Sequence, residues 1–559
     1  MMKLLSRFCV LILILLIISP ACCLSATSIV AELNYDVSKY EGAFRYEFVV
    51  DGGGNAHTRI IYSSDLKRGS SWVLVPRFIK WVNRTIYGSL LSWTIDEPVK
   101  YTGLHYYFYN VLKFDFVSDK SGFEIIIEYD FPLAAMVVES ESAHGIFYSP
   151  QIGFKPGNTL EAIIIFPEEF KARREEAMAL GMNSIYRADE NSNSSHIFFK
   201  KIPSNENLLR IQIGFDSTNR RVDAVVLRDG IFEFNTVARY KEYAQKVISF
   251  YKLTYNILVN IFNVTLESVR ARFFVPDFYT LMSIGGYIPF KGGRLGDIYI
   301  NLMFMRYVEG YLEVVALHEI THHFMWRAGV SPEKLLWFHE GMAQFVSIEV
   351  AESIGYGGAS MIKEEITESI KRLKITEGSN LKFLTEWTPY YAPREVEVLY
   401  ASAYYIISEL AREHGGLEYY AKFFRLLRSV SLEGNAKLCY YLSLAANRSL
   451  FDKFNSWGFN LPDIYVYWPL LIEVENAINN ISLMNPFLQP FRKMAETLYW
   501  AVISGNVPPG NARLFLSAAL FMACNARLIA LIVYSCILFF AILIMIMQSR
   551  REIKEPTHQ

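Results

Sequence analysis

Leu528 to Met547 is an apolar run without one charged residue. A stretch of about 20 such residues matches the hydrocarbon thickness of a bilayer when helical, so it predicts a transmembrane helix over 528–547. Arg550 and Arg551 follow closely, and basic residues beside a span favour the cytoplasmic side. The expectation is a single-pass cell-membrane protein with residues 548–559 in the cytoplasm and the body extracellular. The N-terminus points the same way. Lys3 and Arg7 precede an apolar stretch from Phe8 to Ile18, and small residues follow around Ala21 to Ala26. Residues 1–26 therefore read as an export signal, with an uncleaved anchor as the alternative.

A chain of 559 residues is too long for one ordinary core. Its 52% hydrophobic and 15% aromatic content excludes wholesale disorder. The formal net charge of -1, with no basic run in the body, gives no reason to expect a nucleic-acid partner. Of the six cysteines only Cys439 lies well inside the body, so that body cannot form an internal disulfide and must rest on ordinary cores.

Residues 27–235 read as a β-rich domain. Phe44, Tyr46, Phe48 and Val50 alternate with Arg45 and Glu47, and Phe123, Ile125, Ile127 and Tyr129 repeat that period of two. The turn chemistry of Ser118 to Gly122 predicts a hairpin over Lys113 to Tyr129, and a β-sandwich-like pair of sheets is the simplest closure. Near residue 236 the period changes. Tyr240, Tyr243, Val247, Tyr251, Tyr255 and Leu258 follow helical spacing and form a core stripe. Short strands are expected around Val269–Val275 and Asp297–Asn301, with helices dominating to residue 463. Residues 464–526 predict a helical stalk, a hairpin joined at Val507–Gly510, leading into the span. The fold class is thus a multidomain α+β chain.

The chemistry concentrates at His318-Glu319-Ile320-Thr321-His322-His323. No Pro or Gly interrupts this segment until Gly329, so it predicts a helix. Residues four apart share a helix face, so His318 and His322 can reach one ion, while Glu319 can address water beside it. Ser331-Pro332 predicts the start of a second helix carrying Trp337-Phe338-His339-Glu340-Gly341. A tight turn between the two helices can set Glu340 beside the histidines. Two imidazoles and a carboxylate suit one Zn2+ per chain and leave a position for water. His323 and His339 flank this set and read as supporting or packing residues.

The paired motifs His318-Glu319-x-x-His322 and Trp337-x-x-Glu340-Gly341-x-Ala343 resemble the gluzincin zinc metallopeptidases, a peptidase MA-like group, especially the M1 aminopeptidases and the M61 group. The resemblance covers residues 236–463 and implies a thermolysin-like, mainly helical catalytic domain with a small sheet, acting on peptide or protein substrates. It implies a tyrosine donor for the oxyanion on a later helix. Tyr400 is the candidate and Tyr404 the next. The sequence departs from the M1 pattern in two places. The gap between His322 and Glu340 is shorter by one residue. The Gly-x-Met-Glu-Asn segment, whose acid binds a free amine, is replaced by Ser283-Ile284-Gly285-Gly286-Tyr287-Ile288-Pro289; Asp297 and Glu309 are nearby acids without that context.

The expected function is a membrane-anchored, extracytoplasmic zinc metallopeptidase with Glu319 as general base and Tyr400 as second catalytic residue. An M1-like aminopeptidase and a non-enzymatic surface protein with a structural zinc site stay open as alternatives.

Overall fold

The structure, a computed structural model, describes residues 40–137, 144–202, 207–218, 223–276, 285–291, 294–306, 310–427, 430–482 and 484–552. The expected signal over 1–26, the acid Glu309, Ser283-Ile284 and the end of the expected tail lie outside the described residues.

The chain is a multidomain α+β protein: sheets come first and helices follow. A six-stranded sheet contains Gly42–Val50, hydrogen-bonded in parallel to Asn158–Ile165 and antiparallel to Ala56–Ser64. A three-stranded and a seven-stranded sheet accompany it. Aromatic side chains bridge the layers. Tyr62 meets Phe114 at 5.4 Å between ring centroids, and Phe48 meets Phe147 at 5.9 Å. The alternation Phe44, Tyr46, Phe48, Val50 is buried, as a period of two requires of a strand with one face inward.

The segment Lys113 to Tyr129 is not a hairpin. Tyr109–Val117 pairs with Arg68–Pro76 and Ser89–Asp96, whereas Phe123–Phe131 pairs with Ala56–Ser64 and Trp81–Tyr87. The turn between them carries the chain from one sheet to another. The cause is packing: Phe116 and Phe123 stack at 4.3 Å, so the two strands face each other across the core instead of side by side.

A five-stranded sheet underlies the helical part. Its order is Ala224–Asp229, Phe232–Val237, Val269–Phe274, Ile298–Asn301 and, at the edge, Gly286–Tyr287. The longer helices are α1 Lys241–Phe262, α2 Tyr311–Arg327, α3 Leu336–Ser353, α4 Gly357–Arg372, α5 Val396–His414, α6 Leu417–Leu427 and α7 Asn435–Ala446. Near the C-terminus come α8 Trp468–Asn479, α9 Gln489–Ile503, α10 Pro509–Cys524 and α11 Ala526–Glu552. In α1, Val247, Tyr251 and Leu258 are buried, and the Tyr251 hydroxyl donates to the Ala316 carbonyl at 3.0 Å, pinning α1 to α2.

Gly329 ends the turn after α2 with φ +92°, and an added Cβ would lie 2.6 Å from the Val430 carbonyl. The next helix does not begin at Ser331-Pro332. The Ser331 N–H donates to the Leu432 carbonyl and Leu335 folds back on Ser331, so this stretch is a turn and α3 starts at Leu336. The region after residue 464 holds three packed helices, not two, because Trp468–Asn479 is also helical.

The sheet region and the helical region meet at a polar and aromatic seam. Arg77 pairs with Glu364 at 3.0 Å, Tyr107 donates to the Met361 carbonyl at 2.7 Å, and Phe108 packs on Tyr311 at 5.5 Å.

Candidate metal centre

α2 is buried on nearly every side, which is unusual for a segment with this much polar chemistry. Glu313, His318, Glu319 and Thr321 are all buried. Charged groups in such a place must be paired. Thr321 settles its own hydroxyl by donating to Leu317 one turn back at 2.7 Å. His318 and His322 face Glu340 of α3. His318 Nε2 lies 3.2 Å from Glu340 Oε2, and His322 Nε2 lies 3.6 Å from the same oxygen. One ligand atom from each of the three residues falls within 4.8 Å of the others, an arrangement that can hold a metal ion. Two imidazole nitrogens and one carboxylate oxygen form a donor set that fits zinc.

Hydrogen bonds assign the tautomer of His322. His339, fully buried, donates from Nε2 to the Val330 carbonyl at 2.9 Å. Its Nδ1 therefore carries a lone pair and accepts the Nδ1–H of His322 at 3.3 Å. That leaves the lone pair of His322 on Nε2, aimed at the centre. Burial depresses the His339 pKa to about 4 and that of His322 to about 3, so both rings are neutral, the state a ligand and its partner need. Burial alone would raise Glu340, but the hydrogen bond from His318 and the nearby Tyr400 hydroxyl help hold its carboxyl below the ordinary carboxylate range.

Glycines bring the remaining groups close. At Gly341 a Cβ would sit 2.8 Å from both the Ala403 carbonyl and Ile407, so glycine permits the close crossing of α3 and α5. That crossing delivers Tyr400. Its hydroxyl is near enough to Glu340 to favour the charged carboxylate, its ring lies 6.4 Å from His318, and Trp387 packs against its edge. Burial, then the Glu340 charge, pushes the Tyr400 pKa well up, so it remains a donor. Tyr404 turns elsewhere: it packs on Phe345 and senses Lys363, Glu349 and Glu352.

Glu319 lies under the edge strand. A Cβ on Gly286 would stand 2.6 Å from its Oε1 and Cγ. Burial raises the Glu319 pKa to about 8, against the attraction of His318 and with the repulsion of Glu340. Asp297 is engaged by Arg270 at 3.1 Å and Arg272 at 2.8 Å, so its charge is already matched. His323 is neutral, its pKa lowered to about 4 by burial.

The structure thus brings together His318, Glu319, His322, Glu340 and Tyr400. Three supporting contacts have no local signature in the sequence: the His339 bond to His322, the Gly286 approach to Glu319 and the Gly341 crossing. Only the position of His339 next to Glu340 hinted at the first.

No family model matches the chain, and no curated protein matches it. Among solved structures, it is similar to the M1 zinc metallopeptidase of Deinococcus radiodurans, with 14% identity over 76% of this chain and 94% of that chain, at a TM-score of 0.28. A mutant of that enzyme bound to a Tyr-Ser-Ala substrate gives 13% identity, coverage of 76% and 95%, and a TM-score of 0.29.

Proposed function

We propose that this protein is a zinc-dependent peptide hydrolase held at a membrane by α11, with its catalytic part outside the cytoplasm. One observation carries the reading: His318, His322 and Glu340 converge within 4.8 Å of one another, with the carboxylate of Glu319 on the next residue of the same helix. A structural ion site has no use for that additional buried acid.

His318, His322 and Glu340 would hold the ion, and zinc bound there supplies Lewis acidity toward a carbonyl and lowers the pKa of water. Glu319 accepts the proton of the attacking water and passes it to the leaving nitrogen. Burial raises the Glu319 pKa in the metal-free site, and a cation held by His318, His322 and Glu340 would offset that and leave it ionised to take the proton. Tyr400 donates its hydroxyl hydrogen to the oxyanion that forms at the scissile carbonyl. Among the described residues Gly286–Tyr287 is the edge strand of its sheet, lying over Glu319, and can pair with an extended peptide. Asp297 is matched by two arginines, and among the described residues no acid replaces the amine-binding one next to Gly286. This favours cleavage that does not require a free N-terminus.

Membrane attachment is supported by α11. Ala526–Ser549 is long and apolar enough to cross a bilayer, yet only 6% of its most apolar window is buried, which does not suit a core helix. Arg550 and Arg551 favour the tail on the cytoplasmic side.

The test is Glu319→Gln. Zinc content should match the parent, and peptide hydrolysis should fall by about 10²–10⁴. Unchanged turnover would remove Glu319 from its role. Equal cleavage of free and N-acetylated peptides would support the general peptidase; a strict need for the free amine would favour an aminopeptidase.

A further inference from the structure

We propose that the described residues of the turn between α8 and α9, 480–482 and 484–488, insert into the outer leaflet beside α11, so that the bilayer grips the protein at two places. This rests on the reading of α11 as a span. The partner is the hydrocarbon and headgroup boundary of the membrane itself.

Composition gives the first argument. From Asn476 to Phe491 the sequence contains no charged residue, although Glu473, Glu475, Arg492 and Lys493 stand immediately outside. Within the turn Met484 is 91% exposed and Phe487 63% exposed, and Pro486 is exposed as well. On α10, Phe521 is also 61% exposed. Large apolar side chains displayed together in this way mark a contact surface.

Position gives the second. The Tyr534 hydroxyl donates to the Phe487 carbonyl at 3.1 Å, and the Tyr534 ring meets those of Phe487 and Phe491 at 5.5 and 6.3 Å. Tyr534 lies seven residues past Arg527, which is about 10 Å along a helix. Raising Tyr534 to the water surface would leave Ser535–Met547 to cross the membrane, only about 20 Å of helix against a hydrocarbon core of about 30 Å. The contact therefore carries the turn down with α11, to the roughly 5–10 Å at which interfacial apolar elements sit.

Backbone chemistry gives the third, because lipid cannot solvate free peptide groups. Among the described residues of the turn, several peptide groups have partners within the protein. The Ile481 carbonyl accepts from Arg492 at 2.8 Å and that of Ser482 from Gln489 at 3.2 Å. The Asn485 side chain accepts the Phe487 N–H at 3.0 Å, and its carbonyl accepts the Leu488 N–H at 3.1 Å. Between turn and helix runs a groove of about 540 Å³, with Leu531 and Leu538 on its apolar wall and Arg527 among its polar lining. An acyl chain fits that wall.

The consequence is mechanical. α9 rises about 22 Å from the turn, and its Trp500 stacks under Lys437 of α7 at 3.8 Å. Two footings in the bilayer would hold the metal centre at one height and orientation over the membrane, which a single flexible tether would not.

The experiment is site-directed spin labelling of the full chain in phospholipid vesicles, with the other cysteines replaced by serine. Nitroxides are placed singly at Met484→Cys, Pro486→Cys, Leu543→Cys and Lys120→Cys, and collisions with oxygen and with a water-soluble nickel chelate are measured. The expected result is a high oxygen-to-nickel ratio at 543, a ratio approaching it at 484 and 486, and a low ratio at 120. Two labelled positions in the turn keep the test intact if one variant fails to fold. Ratios at 484 and 486 equal to that at 120, with 543 high, would overturn the insertion while leaving the span. Low ratios at all four positions would overturn both.

Discussion

α2 and α11 invert the ordinary rule of burial in opposite directions. α2 hides Glu313, His318, Glu319 and Thr321 in the interior, where polar groups are expensive unless paired. α11 displays Leu531, Ile537, Leu538 and Phe539 on the outside, where apolar groups are expensive unless covered. Each inversion specifies what compensates it. Two imidazoles and a carboxylate at a common centre can take a cation; a bare apolar helix long enough to cross a membrane can take lipid. The difference teaches that a helix's departures from its expected solvent say more about function than its amphipathicity does. It also separates two proposed properties that variants can break one at a time, since the proposed chemistry rests on α2 and its neighbours and the proposed attachment on α11.

After Glu319 itself, the α2 side should break most strongly at Tyr400. Tyr400→Phe removes the hydroxyl and keeps the ring packing against Trp387. We expect kcat to fall by about 10²–10³ with zinc retained. Steady-state kinetics beside a metal assay would check this, and a change in metal content instead would assign Tyr400 to holding Glu340. Gly286→Ala comes next. Its Cβ would press on the Glu319 carboxylate from 2.6 Å, and a base displaced by about 1 Å costs roughly 10²-fold in turnover. The same variant should sediment with membranes as the parent does, since nothing near α11 has changed.

His339 sharpens the comparison further, because it acts only through His322. His339→Leu leaves the His322 Nδ1–H without its acceptor, and zinc affinity, read by chelator competition, should fall by about 10–100-fold. His339→Asn offers a carbonyl oxygen in its place and should recover most of that loss. Equal losses in both variants would mean that His339 merely fills space.

Much of α2 was legible because its information is local. The spacing of His318 and His322 puts both on one face, and an uninterrupted run up to Gly329 sets the helix length. Strand faces were legible too: Phe44, Tyr46 and Phe48 are buried as their alternation requires. Strand partners were not, since alternation says which side is inward and nothing about which strand lies alongside. Tyr109–Val117 and Phe123–Phe131 therefore look like a hairpin and belong to different sheets. The start of α3 was misplaced because Ser331-Pro332 has the local form of a helix start while a distant carbonyl, that of Leu432, holds it in a turn. The approach of Gly286 to Glu319 and the close crossing at Gly341 depend on residues far apart in the chain, where no local pattern reaches.

The smallest effect concerns acid, and again His339 reports it. Its pKa is about 4 in the folded protein and 6.5 when unperturbed, because burial disfavours the charged ring. Between these values the unfolded chain binds a proton that the folded chain refuses, so stability rises with pH through this window. The contribution is complete above about pH 6.5 and is lost as pH falls toward 4. For one group the slope approaches about 1.4 kcal/mol per pH unit, close to tenfold in the folding equilibrium. Other buried groups titrate in this window too, so the readout is the difference: between pH 6.5 and 4 zinc-free parent should lose stability relative to His339→Asn, by up to that slope. Denaturant midpoints measured across the window would decide it. Parallel curves for parent and variant would mean that His339 titrates alike in both states, and that burial in this part of the molecule is shallower than the packing of α2 and α3 implies.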